Sequence, residues 1–172
     1  MAGQVSTETS MSQHPRRTFL AWLGTASLLP LASACGAAPA KAKSYSVAHT
    51  DAEWRKLLTP KQYTILRKEG TERPGSSQLN KEHRKGTFVC AADRNPLYSS
   101  ATKFESGTGW PSFWKPLPGA IGTTSDRSLL MERTEVHCAK CGGHLGHVFN
   151  DGPKPTGLRY CMNGDAMLFV PG

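Results

Sequence analysis

The sequence contains 172 residues, of which 38% are hydrophobic and 20% charged, a size that allows one domain with its own core and leaves little room for a second. Seventeen glycines and twelve prolines favour a turn-rich β or α+β domain over a helical bundle. The formal net charge is +8, but the lysines and arginines are scattered without a long basic run, which argues against a nucleic-acid-binding surface.

The first 35 residues have the layout of an export signal. Arg16 and Arg17 precede an apolar run that ends near Ala34 and is broken by a glycine and a proline. This run is too short and too interrupted for a membrane span, which needs about 20 apolar residues. A basic start, an apolar middle and small residues at the end are typical of a signal peptide. The paired arginines resemble a twin-arginine signal, which implies export to the periplasm or cell envelope.

The end of this signal allows two outcomes. Ala-Ser-Ala at 32–34 fits ordinary cleavage, and it also places Cys35 where a lipoprotein carries its lipid. A lipoprotein signal usually has a larger residue than the first of these alanines, so release and a lipid anchor both stay open. Residues 36–46 are rich in Ala, Lys, Ser and Pro and indicate a linker, and the predicted domain occupies 47–172.

Two helices are predicted at the start of the domain. Capping boxes, in which a threonine is followed three residues later by Glu or Gln, begin at Thr50 and Thr59. They predict short helices at about 51–58 and 60–69, the second ended by Gly70. The segments GTFVCA, RTEVHC and AMLFV then indicate strands separated by turn residues. We therefore expect a mainly β (α+β) fold with both helices against one side.

A metal site is predicted from two cysteine-containing turns. Cys138 and Cys141 form a C-x-x-C motif followed by two glycines, and Cys90 and Asp93 have the same spacing upstream. Two such turns would build a tetrahedral structural zinc site, because Zn²⁺ accepts thiolate and carboxylate ligands. The alternative is a lost metal, with Cys90 a buried thiol and the other two cysteines a dithiol or disulfide.

The segment GLRYCMNGD near the C-terminus raises the question of catalysis. In an extended strand, side chains alternate, so Arg159, Cys161 and Asn163 share one face. Cys161 is then either a small apolar filler or a nucleophile with polar neighbours. His144 and His147 provide candidate acid–base partners for a thiol nucleophile.

Three segments occur in an order that is similar to one known family. FESGTGWPSFW, CGGHLGHVFNDGPKPTG and RYCMN resemble the signature blocks of methionine sulfoxide reductase B, which reduces the R epimer of methionine sulfoxide. The resemblance extends from about Trp54 to Val170, nearly the whole predicted domain. It implies a β-tent of two antiparallel sheets, with a zinc site away from the catalytic cysteine. It also implies an oxidoreductase acting on a sulfur group, with a protein-repair role under oxidative stress.

The resemblance implies roles for the candidate catalytic residues. Cys161, as a thiolate, attacks the sulfoxide sulfur, while His144 and His147 bind the oxygen and donate a proton. Arg159 favours the thiolate electrostatically.

Four further residues receive roles from the same resemblance. Asn163 positions a histidine or water, and Asp151 orients the histidine pair. Trp110, with Phe149 beside it, forms an apolar wall for the methyl group of the substrate and so selects the epimer by shape. The substrate class is oxidised protein, or free methionine sulfoxide.

The recycling of the cysteine departs from the family pattern. Many members have a resolving cysteine where this chain has Thr108. If a metal holds Cys90, Cys138 and Cys141, no free thiol remains in the mature domain to attack the Cys161 sulfenic acid. We therefore predict a single-cysteine cycle in which an external thioredoxin-like dithiol is the reductant. If the metal is absent, one of the other cysteines could serve instead. A monomer is the expected state for this domain size.

Two other classes of function remain as alternatives. A zinc-ribbon-like binding module without catalysis would use the positive charge on a nucleic acid or acidic partner, and it would have no use for Cys161. A thiol oxidoreductase would act through Cys138 and Cys141. That motif, however, lacks the surrounding βαβ pattern of thioredoxin-like proteins.

Overall fold

A computed structural model of the protein describes residues 44–128 and 132–172. The export signal, Cys35 and most of the linker lie outside the described residues, so those boundaries stay predictions. Within the part that the structure describes, no helix has both the length and the apolar character needed to cross a bilayer.

Both predicted helices are present, each with its capping box. Helix α1 spans Asp51–Leu57 and helix α2 spans Pro60–Lys68. In each, the N-cap threonine hydroxyl accepts a backbone N–H three residues on, and the Glu or Gln at that position accepts the N-cap N–H. The sequence prediction of two successive short helices is therefore confirmed.

Helix α2 ends close to the predicted Gly70, but for a different physical reason than a left-handed glycine. The residue in the left-handed conformation is Glu69, with φ of 54°, and not Gly70. The N–H of Gly70 donates to the Thr64 carbonyl at 3.0 Å. A Cβ at position 70 would lie 2.9 Å from that carbonyl oxygen. Gly70 is thus required by a close backbone approach at the helix end and not by a positive φ.

The described residues form nine strands in two antiparallel sheets. The strands are β1 (Gly86–Cys90), β2 (Pro96–Ser99), β3 (Lys103–Phe104), β4 (Ser112–Phe113), β5 (Ile121–Asp126), β6 (Arg133–Cys138), β7 (His144–Phe149), β8 (Arg159–Met162) and β9 (Met167–Pro171). The first sheet has the order β2-β1-β9, and the second has the order β3-β4-β8-β7-β6-β5. The predicted mainly β class, with two sheets and two short helices, is confirmed.

An aromatic core joins the two sheets. Phe88 and Tyr98 belong to the first sheet, and Phe113 belongs to the second. Tyr98 stacks on Phe113 with ring centroids 4.3 Å apart, and Phe88 meets Phe113 edge-on at 4.9 Å. All three side chains are fully buried, and each such burial stabilises a fold by roughly 1.5–3 kcal/mol. The sheets are therefore fixed to each other close to β4 and β8.

Candidate active site and metal centre

Cys161 lies on β8, between β4 and β7 in the second sheet. Its cross-strand neighbours are Ser112 on β4 and His147 on β7. The next residue, Met162, is fully buried and its sulfur accepts the Tyr98 hydroxyl at 3.2 Å, whereas Cys161 is partly exposed. The alternation predicted from the sequence thus places Met162 in the core and leaves the Cys161 sulfur accessible.

Cys161 contributes to an open pocket with an empty volume of about 440 Å³. The residues that line this pocket, called here the thiol pocket, are Thr71, Trp110, Arg133, Gly146, His147, Phe149, Cys161 and Asn163. Five residues that the sequence singled out therefore meet there: the cysteine, one histidine, the asparagine and both aromatic residues. An indole and a phenyl ring beside a thiol can receive an apolar group bonded to sulfur.

Arg159 lies beside this pocket and is bound to Asp151. Its Nε and Nη2 donate to the two carboxylate oxygens of Asp151 at 2.8 and 2.7 Å. Its guanidinium carbon lies 4.5 Å from the centre of the Phe149 ring. The hydrogen bonds to Asp151 raise the pKa of Arg159, and the charge of the Cys161 sulfur contributes in the same direction. Asp151 thus holds Arg159, whereas the sequence-based interpretation had it orient the two histidines.

His147 is held by a carboxylate from a more distant strand. Its Nε2 lies 2.8 Å from Asp126 Oδ2, and Arg133 donates to the same oxygen at 2.7 Å. Burial lowers the pKa of His147, while the hydrogen bond that Asp126 accepts from it works in the opposite direction. The His147 imidazole lines the thiol pocket. Of the two candidate proton donors, His147 is therefore the one beside Cys161.

His144 lies one step further from the pocket. Its ring centroid is 5.4 Å from that of His147, and its Nδ1 lies 2.8 Å from Glu135 Oε1. It lines an adjoining cavity together with Glu135 and Asp126, and it does not line the thiol pocket. Within the described part of the chain, its buried Nε2 has no hydrogen-bond partner.

The side chain of Asn163 forms hydrogen bonds with two backbone groups. Its Oδ1 accepts the backbone N–H of Glu72 at 3.0 Å, and its Nδ2 donates to the Leu145 carbonyl at 3.1 Å. The sequence-based interpretation had Asn163 position a histidine or water, whereas its side chain here bonds to backbone groups of the described residues. Asn163 instead connects β7 to the loop that follows α2.

Thr108, at the position of the usual resolving cysteine, faces Cys161. Its Oγ1 lies 3.8 Å from the Cys161 sulfur and 2.8 Å from Ser106 Oγ. Ser106 Oγ is in turn 2.7 Å from Ser112 Oγ, and Ser112 donates to the Trp110 carbonyl at 3.1 Å. A continuous series of hydroxyl groups thus leads from the sulfur to the backbone of the residue that forms the pocket wall.

Sequence reasoning missed the carboxylates that bind the histidines. Glu135 pairs with His147 across the β6–β7 hairpin, yet its carboxylate binds His144. The register of this hairpin shifts beside Val136, so counting residues back from the turn would not have found the contact. Asp126 reaches His147 from two strands away, and nothing in the local sequence indicates this contact.

The second cluster has the composition of a metal site. One donor atom from each of Cys90, Asp93, Cys138 and Cys141 can be chosen so that all four lie within 4.8 Å of one another. The three cysteines are buried and Asp93 is partly buried. Donors at this spacing surround a volume that one ion can fill, and thiolates with a carboxylate suit a divalent metal. The residues predicted as ligands are thus brought together, and the cluster could hold a metal ion.

Hydrogen bonds among the cysteines of this cluster shift the pKa values of Cys138 and Cys90 in opposite directions. Hydrogen bonds from Cys141 and Cys90 lower the pKa of Cys138, whereas the hydrogen bond to Cys138 raises that of Cys90. Asn95 Nδ2 donates to Cys138 Sγ at 3.5 Å and to the Ala120 carbonyl at 2.9 Å. An outer amide donor of this kind is common around thiolate ligands, because it stabilises their negative charge.

Three contacts pack the chain around the C-x-x-C turn. Arg67, on α2, donates to the Cys141 carbonyl at 3.0 Å and stacks on Trp54 with its guanidinium 4.0 Å from the ring centre. Val47 donates its N–H to the Lys140 carbonyl at 3.0 Å. Tyr45, which the sequence assigned to the linker, covers Gly142 so closely that a Cβ there would lie 2.2 Å from its ring.

The fold and these two sites define a class of protein: a two-sheet β domain with one accessible thiol beside a histidine, and a separate cysteine cluster of metal-binding composition. Residues 58–171 match the family described as the SelR domain.

Similar proteins from other organisms agree with this match. The chain is 56% identical over 127 residues to peptide methionine sulfoxide reductase MsrB of Leptospira interrogans serogroup Icterohaemorrhagiae serovar Lai (strain 56601), covering 73% of this chain and 97% of the relative. It is 54% identical over 129 residues to MsrB of Agrobacterium fabrum, covering 74% and 96%. With MsrB of Methanosarcina barkeri the values are 51% over 125 residues, 72% and 88%. The chain belongs to the SelR-domain family of MsrB proteins.

Proposed function

We propose that this protein reduces the R epimer of methionine sulfoxide, in oxidised proteins, to methionine. Family membership supports the reaction, because relatives that share about half of their residues with this chain are named peptide methionine sulfoxide reductases. The observation that carries the proposal is the thiol pocket, in which the accessible Cys161 lies with Trp110 and His147. A thiol, an apolar wall and an acid–base group are the parts that this reduction needs.

The reaction begins at the Cys161 thiolate. Its sulfur forms a bond to the sulfur of the substrate, and the sulfoxide oxygen takes up a proton as its bond to that sulfur weakens. The oxygen then passes from the substrate sulfur to the Cys161 sulfur as the bond between the two sulfurs breaks, so that methionine leaves and Cys161 carries a sulfenic acid. The cysteine is oxidised by two electrons, and the sulfoxide is reduced by the same two.

His147 supplies the proton to the oxygen. It lines the thiol pocket, and the lowered pKa that burial gives it makes its protonated form a stronger acid. His144 supports it from the adjoining cavity. Arg159, held by Asp151, keeps a positive charge near the cysteine throughout the cycle.

An external dithiol completes the cycle. Thr108 cannot form a disulfide, so the reductant attacks the sulfenic acid directly or through a mixed disulfide. The twin-arginine resemblance of residues 1–35 supports export to the cell envelope, where the reductant would be a thioredoxin-like protein, with or without a lipid on Cys35.

The cysteine cluster is a structural zinc site in this proposal. Cys90, Asp93, Cys138 and Cys141 would hold Zn²⁺, and the bound ion would cross-link the two sheets without taking part in the reduction. Three soft thiolate donors favour zinc over magnesium or calcium.

The test is turnover of purified enantiomers. With dithiothreitol as reductant, the wild-type protein should reduce R-configured methionine sulfoxide and leave the S epimer unchanged. Cys161→Ser should abolish turnover, because a hydroxyl is not a competent nucleophile here. Ser106→Ala is the matched control, since it alters a nearby hydroxyl without removing the sulfur. Retained turnover in Cys161→Ser would overturn the proposal.

A further inference from the structure

Glu72 is a buried carboxylate in the loop between α2 and β1, and the reaction above does not use it. Only 8% of the residue is exposed. Removing a carboxylate from water is unfavourable unless its oxygens are hydrogen-bonded. Burial raises the pKa of Glu72, and hydrogen bonds from backbone N–H groups counter that effect. The partners in those bonds indicate the structural role of the carboxylate.

The side chain of Glu72 caps a short turn that follows β8, the strand that carries Cys161. Oε1 accepts the N–H of Gly164 and Oε2 accepts the N–H of Asp165, both at 2.8 Å. These groups begin the 3₁₀ turn Gly164–Ala166, whose N-cap residue, Asn163, makes no capping bond with its own side chain. Glu72 therefore provides the cap from a distant part of the sequence.

The backbone of Glu72 holds two residues of the thiol pocket. Its N–H donates to Asn163 Oδ1 at 3.0 Å, and its carbonyl accepts the indole N–H of Trp110 at 3.2 Å. Asn163 is only two residues from Cys161, and it is also fixed to the Leu145 carbonyl through its own N–H at 2.8 Å. The backbone N–H, the carbonyl and both carboxylate oxygens of Glu72 are thus all engaged, and every bond leads to the pocket or to the end of β8.

We propose that Glu72 is a positioning residue, which fixes the Trp110 indole relative to the strand that carries Cys161. The inference rests on the proposed function and deepens it. Trp110 belongs to the segment before β4, whereas Asn163 and Gly164 follow β8, and Glu72 is bonded to both. The distance between the apolar wall and the sulfur sets which alkyl group on the substrate fits the pocket. Glu72 therefore contributes to discrimination between a methyl and a larger group.

The test uses two R-configured substrates, methionine sulfoxide and ethionine sulfoxide. One methylene in an apolar pocket changes kcat/KM by roughly 10–200-fold. Glu72→Gln replaces one acceptor oxygen by an amide donor that faces a backbone N–H, so the cap on the turn loosens. We expect the ratio of kcat/KM for methyl over ethyl to fall at least about threefold, and kcat/KM for the methyl substrate to fall on the order of tenfold.

Two further variants complete the test. Glu72→Asp retains both oxygens but withdraws them by one methylene, and it carries the test if the Gln variant does not fold; its ratio should fall as well. Glu53→Ala removes the acceptor of the α1 capping box, at a residue without contact to the thiol pocket. This control should lower the melting temperature and leave the methyl-to-ethyl ratio unchanged.

The outcomes separate two failures. If the wild-type protein reduces the methyl substrate while both Glu72 variants keep its rate and its ratio, Glu72 has only a structural role and the inference is overturned alone. If the wild-type protein reduces neither substrate, the proposed function fails and takes the inference with it. A changed ratio in both Glu72 variants, with an unchanged ratio in Glu53→Ala, supports the inference.

Discussion

At the scale of single residues, the most informative position is Thr108. Its hydroxyl lies 3.8 Å from the Cys161 sulfur, so a thiol at position 108 would be a neighbour of that sulfur. A threonine cannot form a disulfide. Its hydroxyl belongs instead to the series that continues through Ser106 and Ser112. The chain thus keeps a polar contact to the sulfur at position 108 and has no thiol at that position.

Thr108→Cys should convert the protein to a two-cysteine cycle. One equivalent of substrate, added without reductant, should then consume two thiols and give an intramolecular disulfide between positions 108 and 161. The wild-type protein should lose one thiol and carry a sulfenic acid. Thiol titration combined with peptide mass mapping measures both results.

Thr108→Ser is the matched control for this experiment, because it keeps the hydroxyl and introduces no sulfur. It should lose one thiol, as the wild type does. An internal disulfide of Cys161 in the control or the wild type would contradict the single-cysteine cycle, whichever partner it involved.

Much of the site could be predicted at this scale, but with some roles displaced. Cys161, His147, Asn163, Trp110 and Phe149 meet in one pocket as the resemblance implied. Their hydrogen-bond partners could not be predicted, because carboxylates approach from other strands or from the loop after α2. Long-range contacts of this kind depend on sheet order, which no local pattern in the sequence encodes.

At the scale of elements, β7 leaves no room for a side chain against β8 at Gly146. The register of β7 against β6 shifts beside Val136, whose Cα partner is Gly146. A Cβ at position 146 would lie 2.1 Å from the Cys161 carbonyl oxygen and 3.0 Å from the Met162 Cα. Glycine is therefore required here by the strand that carries the thiol.

Gly146→Ala should destabilise the protein and lower its activity together. The added methyl group has no room and must push against the backbone of Cys161, so we expect a loss of about 3 kcal/mol or more in the free energy of unfolding. Urea denaturation measures this loss, and turnover of methionine sulfoxide should fall with it.

Gly119→Ala separates the two effects. Gly119 has a positive φ of 66° but no heavy atom within 4 Å of the added Cβ. The substitution should cost about 1–2 kcal/mol from backbone conformation alone and leave turnover unchanged. Equal activity in the two variants would show that the contact at position 146 does not matter for the site.

The elements differ in how far the sequence determines them. Capping boxes at Thr50 and Thr59 are local signals, and the helices begin where those signals predict. Strands β3 and β4 have two residues each and exist only through pairing with each other and with β8. Two residues carry no periodicity, so such strands could not be predicted from sequence.

At the scale of the whole molecule, the cysteine cluster joins the two sheets. Cys90 ends β1 in the first sheet, and Cys138 ends β6 in the second. A bound ion would therefore act as a second connection between the sheets, in addition to the aromatic core. The two cysteine turns predicted that these residues would meet, because two turns with the same ligand spacing can supply four donors to one ion.

Asp93→Cys should bind zinc more tightly than the wild type, since a fourth thiolate replaces a harder oxygen ligand. We expect at least about a tenfold gain in competition with a chromophoric chelator, and a higher melting temperature of the zinc-loaded protein. Asp93→Ala, which removes the ligand, should shift both measurements in the opposite direction. Equal affinity in all three proteins would show that the carboxylate is not a ligand.

Replacing one cysteine of the cluster by Asp93 also leaves an odd number of sulfur atoms there. Three thiols can form only one disulfide. If the cluster is oxidised without a metal, one of its cysteines therefore stays unpaired. A cluster of four would pair completely and become inert. In an oxidising compartment that unpaired thiol would be free to form a mixed disulfide with another molecule, and a bound ion would prevent this.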